Sequence, residues 1–251
     1  MDSLFTQVEQ WHGDQPWGDF LDAGTGKHSL HWVTNLPTKS CTAVTGDVYR
    51  AKQLKKQFNL RPQDEIVSGN WTDGNLLQGK KFDVVLADYL LGAIDGFAPY
   101  YQTKLFSRLR EVTKNHLYVI GLEPFGDHPK EYGGKLINRI AKLRDACILL
   151  AGHRCYREYP RQWVVDELRN SGYNVSRSRS LPIRFGAKYI NSQLDVCIRK
   201  LNFIPPGNFN AALQIEIENL RTEALDFCHR HGKITYGSDY IIAAQRHGGA
   251  Q

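Results

Sequence analysis

The sequence predicts an α/β fold with a mostly parallel sheet and helices on both faces. Two observations carry this. Short β-branched, apolar runs alternate with segments of helical spacing through the first half of the chain, and strand, crossover, strand repeated in this way makes parallel strands. The polar and glycine-rich residues that could bind a ligand also sit at the carboxyl ends of those runs, where open α/β sheets hold their ligands.

The first strand is expected at Phe20–Ala23, ending on a glycine turn. Cys41–Thr45, Glu65–Ser68, Phe82–Ala87 and His116–Leu122 follow as strands two to five. Helical segments are expected between them at Ser29–Asn35, Val48–Phe58 and Gln102–Val112. Gly134–Leu150 has one apolar face built from Leu136, Ile137, Ile140, Ala141, Leu143 and Ile148. Pro160–Ser171 reads as a helix started by Pro160 and stopped by Gly172. Tyr173–Leu181 and Gln193–Leu201 are expected to form a closing strand pair. After Pro205-Pro206-Gly207 a helix runs from Asn208 to Arg230, with Leu213, Ile217, Leu220, Ala224, Leu225 and Cys228 on one face. Tyr240–Ala244 is a further strand candidate, and either it or Gln193–Leu201 is the last core strand.

The chain has 251 residues, of which 41% are hydrophobic, enough for a buried core and against disorder. We read it as one domain, with a ligand-binding half over 18–123 and a substrate-determining, sheet-closing half over 124–251. It has no run of about 18 apolar residues and no signal peptide pattern, so no membrane partner is expected. Five scattered cysteines without C-x-x-C pairing suit reduced thiols and a cytoplasmic setting. The net charge of +6 permits an anionic partner such as RNA without requiring one, because the basic residues form no block.

The chemistry concentrates at four strand ends. Asp22-Ala23-Gly24-Thr25-Gly26 closes the first, with Ser29 where a dinucleotide fingerprint would carry its third glycine. The Asp22 carboxylate would repel a phosphate but attract an ammonium or sulfonium. Asp47, ending the second strand before Val48, can accept both hydroxyls of a ribose; its alternative is a helix cap. Asn70-Trp71 offers an aromatic wall and an amide edge to a purine, or is a core tryptophan beside a turn asparagine. Asp88-Tyr89 ends the fourth strand with an acidic, aromatic lining suited to a sulfonium, or Asp88 caps the next segment.

Leu21-Asp22-Ala23-Gly24-Thr25-Gly26, Asp47, Asn70-Trp71 and Phe82-Asp83-Val84-Val85-Leu86-Ala87-Asp88 together resemble the class I, Rossmann-like S-adenosylmethionine-dependent methyltransferase family. The resemblance covers about residues 18–123 and departs from the family at Ser29. It implies a Rossmann-like three-layer sandwich whose seven-stranded, mostly parallel sheet has an antiparallel last strand. It also implies S-adenosyl-L-methionine as cofactor, with S-adenosyl-L-homocysteine as product, the methionine over the glycine turn and the ribose on Asp47.

Acceptor recognition would fall to the loop Gly92–Tyr101, to the segments after strand five (123–128 and 152–159), and to Arg184–Tyr189. Aromatics mixed with fixed charges there describe a pocket for a small molecule, with Arg154, Arg157 and Arg184 able to hold an anion. Tyr89, Glu123 and His128 are the chosen candidates for a base, with Asp127 and His153 behind them, each also open to a structural role. Asp-Tyr-Leu-Leu after strand four is unlike the Asn/Asp-Pro-Pro-aromatic motif used on exocyclic base nitrogens. No cysteine follows strand four for cytosine-C5 chemistry, and no Asp/Asn cluster suggests a catalytic metal. A small-molecule methyltransferase is expected. An RNA methyltransferase, another transferase or cyclase using the sulfonium, and an NAD-dependent oxidoreductase are the rivals.

Overall fold

The structure is a computed structural model and describes residues 3–247. Seven strands form one sheet in the order β3-β2-β1-β4-β5-β7-β6. They are β1 (Asp19–Asp22), β2 (Ser40–Thr45), β3 (Glu65–Ser68), β4 (Phe82–Asp88), β5 (Thr113–Leu122), β6 (Tyr173–Phe185) and β7 (Ile234–Arg246). β1 pairs in parallel with both β2 and β4, and β2–β3 and β4–β5 are parallel too. β7 runs antiparallel to β5, with Gly121 opposite Tyr240 and Leu122 opposite Asp239. β6 runs antiparallel to β7, since moving from Gly172 to Ser176 the contacts move back from His247 to Ala243.

The helices are α1 (Ser3–His12), α2 (Lys27–Val33), α3 (Val48–Gln57), α4 (Leu90–Ala93), α5 (Gln102–Val112), α6 (Tyr132–Leu150), α7 (Arg161–Asn170), α8 (Ala187–Leu201) and α9 (Asn208–His231). Compactness divides the chain into two units. Among the described residues the first holds 3–123, Tyr156–Ser180 and 239–247; the second holds Pro124–Cys155 and Leu181–Ser238. β6 and β7 each begin in one unit and end in the other.

In the first unit the strand period of two sends alternate side chains to opposite layers. Leu21, Val85, Leu117 and Val119 meet Leu105 and Leu109 of α5 and Val164 and Leu168 of α7. Phe20 faces the other way, into an aromatic layer with Trp17, with Trp32 of α2, and through Trp32 with Phe5 of α1. His12 stacks on Trp17 at 3.8 Å between ring centroids, and its Nδ1 lies 3.0 Å from the Tyr118 hydroxyl. The ring is buried, and its Nε2 completes no hydrogen bond among the described residues.

Burial, reinforced by the neighbouring His116, lowers the His12 pKa below 6.5, against a small opposing pull from the Pro16 and Gln15 carbonyls. The unfolded chain therefore binds a proton that the folded chain refuses. This contribution to stability is complete above pH 6.5 and lost as pH falls through the lower folded value. Between pH 7.5 and 5 the wild type should lose more stability than His12→Gln in thermal unfolding; equal losses would show that His12 does not titrate this way.

The second unit is three helices, α6, α8 and α9, packed on one another around Leu136, Ile140, Leu194, Cys197, Ile217 and Leu220, together with the ends of β6 and β7. Here one expectation fails. Gln193–Leu201 is no strand but the second half of α8. Its buried residues Ile190, Leu194, Cys197 and Leu201 recur at helical spacing, and that stripe outweighs the β-branched Val196 and Ile198. The last core strand is β7, which contains the whole of Tyr240–Ala244.

Candidate functional site

The strand order reverses between β1 and β4, and a cleft opens at the carboxyl ends beside that point. Its volume is ≈ 300 Å³, and its lining comes wholly from the first unit. Backbone hydrogen bonds hold the strand ends in one rim. The Ala23 amide donates to the Leu86 carbonyl at 2.8 Å, the Thr25 amide to Val44 at 2.7 Å, and the Gly69 amide to Thr45 at 3.0 Å. Ala23, Gly24, Thr25, Gly26, Asp47, Asn70 and Trp71 all line the cleft.

The turn after β1 is closed by the residue that breaks the glycine fingerprint. Ser29 Oγ accepts the Gly26 amide at 3.0 Å across the first turn of α2, so a hydroxyl caps the helix where a third glycine would only give room. Gly24 and Gly46 are needed for close approach. A Cβ at Gly24 would stand 2.9 Å from Leu90 Cδ1, and one at Gly46 would stand 2.7 Å from Phe97 Cδ1. Leu90, Ala93, Ile94 and Phe97 thereby form the wall opposite the turn.

Asp22 lies beneath this floor rather than in it, at 0% exposure. Neither carboxylate oxygen completes a hydrogen bond among the described residues. Burial pushes its pKa up to about 6, while the nearby Thr25 and Ser29 hydroxyls and the Gly24 amide pull only partly the other way. A buried carboxylate without full compensation is a feature that functional sites retain.

Asp47 is the helix cap its position allowed, and it also lines the cleft. Its Oδ1 caps α3, accepting the Tyr49 and Arg50 amides at 2.8 and 3.1 Å. Its second oxygen faces no donor among the described residues, in a residue that lines the cleft. Val48, at 59% exposure, starts α3 and does not line the cleft.

The Trp71 ring is 4% exposed and its Nε1 donates to the Ala23 carbonyl at 2.8 Å, so it pins the glycine turn while its edge reaches the cleft. The Asn70 amide nitrogen donates to the Phe97 carbonyl at 2.8 Å, and its oxygen accepts from the Thr72 amide and hydroxyl. These two residues build the wall, and their main hydrogen-bonding groups already have protein partners.

Asp88 and Tyr89 stand at the end of β4 outside the cleft lining. Tyr89 has φ +47°, in the left-handed region, where a bulky residue costs about 1–2 kcal/mol. Two contacts hold it there: its amide donates to the Ile120 carbonyl at 2.9 Å, and its hydroxyl to Asp239 Oδ1 at 2.7 Å. Glu123 follows β5 and accepts the Arg161 amide, at the start of α7, at 3.2 and 3.3 Å. His128 is exposed and belongs to the second unit, as do Arg154 and Arg184.

Four lining residues come from the loops to which acceptor recognition was assigned, Ala93, Ile94, Phe97 and Tyr156. The segment bearing Tyr156 is fastened to the chain after α4. Arg157 pairs with the buried Asp95 at 3.5 Å and lies over the Tyr100 ring at 5.8 Å. Arg50 and Leu90 also line the cleft without having been singled out. The signal for Arg50 was its place, in the first turn of the helix that leaves the Asp47 strand end.

No family model and no curated relative matches the chain. Solved structures do. One is a candidate methyltransferase from Bacillus halodurans C-125, with TM-score 0.62, 15% identity, and coverage of 98% of this chain and 99% of that one. This is the class I methyltransferase fold. The YcgJ protein from Bacillus subtilis shares it at TM-score 0.58 and 14% identity over 98% and 99% of the two chains. The mycolic acid cyclopropane synthase CmaA1, solved with S-adenosylhomocysteine, shares it at TM-score 0.55 and 18% identity over 98% and 86%.

Proposed function

We propose that the chain is an S-adenosylmethionine-dependent methyltransferase acting on a small-molecule acceptor. The observation that carries this reading is the charge arrangement of the cleft. A carboxylate is buried without a full set of partners under a glycine turn, and a second carboxylate, that of Asp47 at the end of β2, lines the same cleft. A nucleoside with a cationic side chain satisfies both, with its ribose hydroxyls on Asp47 and its charge above Asp22. The volume lies at the lower end of the range for small-molecule sites. The fold alone leaves the reaction open, since one structure that shares it is a [4+2]-cyclase.

The bound cofactor would supply an electrophilic methyl group on sulfur. The chain's part is to hold the acceptor in line with that methyl and to exclude water. Phe97 and Tyr156 at the cleft are placed to give an apolar, partly aromatic approach. Tyr89, its hydroxyl held by Asp239, and Glu123 remain the candidates for taking a proton from the acceptor. His128, on its exposed loop, is the weaker of the three.

Isothermal titration should show binding of S-adenosylhomocysteine and none of NAD; the opposite result overturns the cofactor reading. Once an acceptor is found, mass spectrometry of the spent cofactor should show S-adenosylhomocysteine. Methylthioadenosine instead would mean transfer of another group.

A further inference from the structure

Arg50 stands out among the residues of the cleft. Among the described residues it is the only basic side chain in the lining, as Asp47 is the only acidic one. Its Nη2 lies 3.5 Å from the point where a Cβ on Gly26 would be, so the exposed side chain reaches the end of the glycine turn. No carboxylate among the described residues forms an ion pair with it. Asp47, three residues earlier, gives Oδ1 to the backbone of the helix cap instead. An exposed arginine usually takes up solvent and a nearby acid. This one reaches from the first turn of α3 to Gly26, the N-cap of α2, and lines the cleft, where its guanidinium offers a planar fork of donors.

The inference rests on the cofactor reading above and deepens it. S-adenosylmethionine carries two cationic groups and one anion, its amino-acid carboxylate. In a cleft with one arginine, that carboxylate is the only group on the ligand for which Arg50 is complementary. We infer that Arg50 is a specificity-determining residue that clamps the carboxylate of the amino-acid portion. It would thereby discriminate against adenosyl thioethers and sulfonium compounds that lack this group. The two charges of the site then sort the two ends of the ligand: Asp47 takes the ribose and Arg50 the carboxylate.

The test compares two ligands that differ only in the carboxylate, S-adenosylhomocysteine and its decarboxylated analogue, by isothermal titration against wild type and Arg50→Gln. Glutamine is a good helix former, and the site is exposed, so the variant should keep the wild-type thermal midpoint. The wild type should prefer S-adenosylhomocysteine by roughly tenfold or more, the scale of a charge-assisted hydrogen bond. In Arg50→Gln that preference should vanish, with affinity for the decarboxylated analogue unchanged. A preference that survives the substitution, or an equal loss for both ligands, overturns the inference while leaving the cofactor reading intact. Failure of the wild type to bind S-adenosylhomocysteine, with NADPH bound in an Arg50-dependent way, overturns both, because Arg50 would then be holding a phosphate.

Discussion

Asp22→Asn should raise the stability of the ligand-free protein by about 3 kcal/mol at pH 8, at 1.36 kcal/mol for each unit between an ordinary aspartate and one that titrates near 6. The sign follows from burial. Above pH 6 the folded state must hold a charge that the unfolded state solvates freely. As pH falls through about 6 toward 3.8 the folded state takes up its proton first, and the penalty disappears. The difference between the two proteins in chemical denaturation should therefore be largest at alkaline pH and close below pH 4. A constant difference across that range would mean that the carboxylate is not strained. The same substitution should weaken binding of a cationic nucleoside. A side chain that lowers stability in the free protein and raises affinity in the complex is the usual trade between stability and function.

Asp47 separates two roles with two substitutions. Asp47→Ala removes both the cap of α3 and the proposed ribose contact. It should cost about 1 kcal/mol of stability, as loss of a helix N-cap does. It should also weaken S-adenosylhomocysteine binding by about 1.5–3 kcal/mol, the range for hydrogen bonds to a charged group. Asp47→Asn keeps an oxygen for the Tyr49 and Arg50 amides, so stability should stay near wild type while affinity still falls. Unchanged affinity in both variants would remove Asp47 from the site and leave it as a cap.

The rim of the cleft was legible because a parallel sheet puts the end of every strand on one side. Once Phe20–Ala23, Cys41–Thr45 and Glu65–Ser68 are strands, their last residues must be neighbours, whatever lies between them. What the side chains do there was less legible. Trp71 reads as a purine wall or, less readily, as a core residue, and only the 2.8 Å bond to the Ala23 carbonyl shows it bracing the turn. Ser29 reads as a missing glycine, and only its bond to the Gly26 amide shows it to be a cap. Leu90 carries no chemical signal, so nothing in its identity announced that it walls the cleft.

The sequence by itself determined the order of the five strands through residue 123 and of α2, α3 and α5 between them, because hydrophobic period and turn chemistry are local properties; it gave no sign of α1 or α4. It also placed the four groups of polar residues at strand ends. Tertiary structure alone decided that Gln193–Leu201 is helical, since its stripe of buried residues gains its meaning from α6 and α9 packing against it. It alone brought Tyr156 and Asp239 back to the first unit, from more than thirty residues beyond its first exit at Glu123. It also left Asp22 without full compensation. Burial and partnership depend on which distant segments return, and no local pattern encodes that.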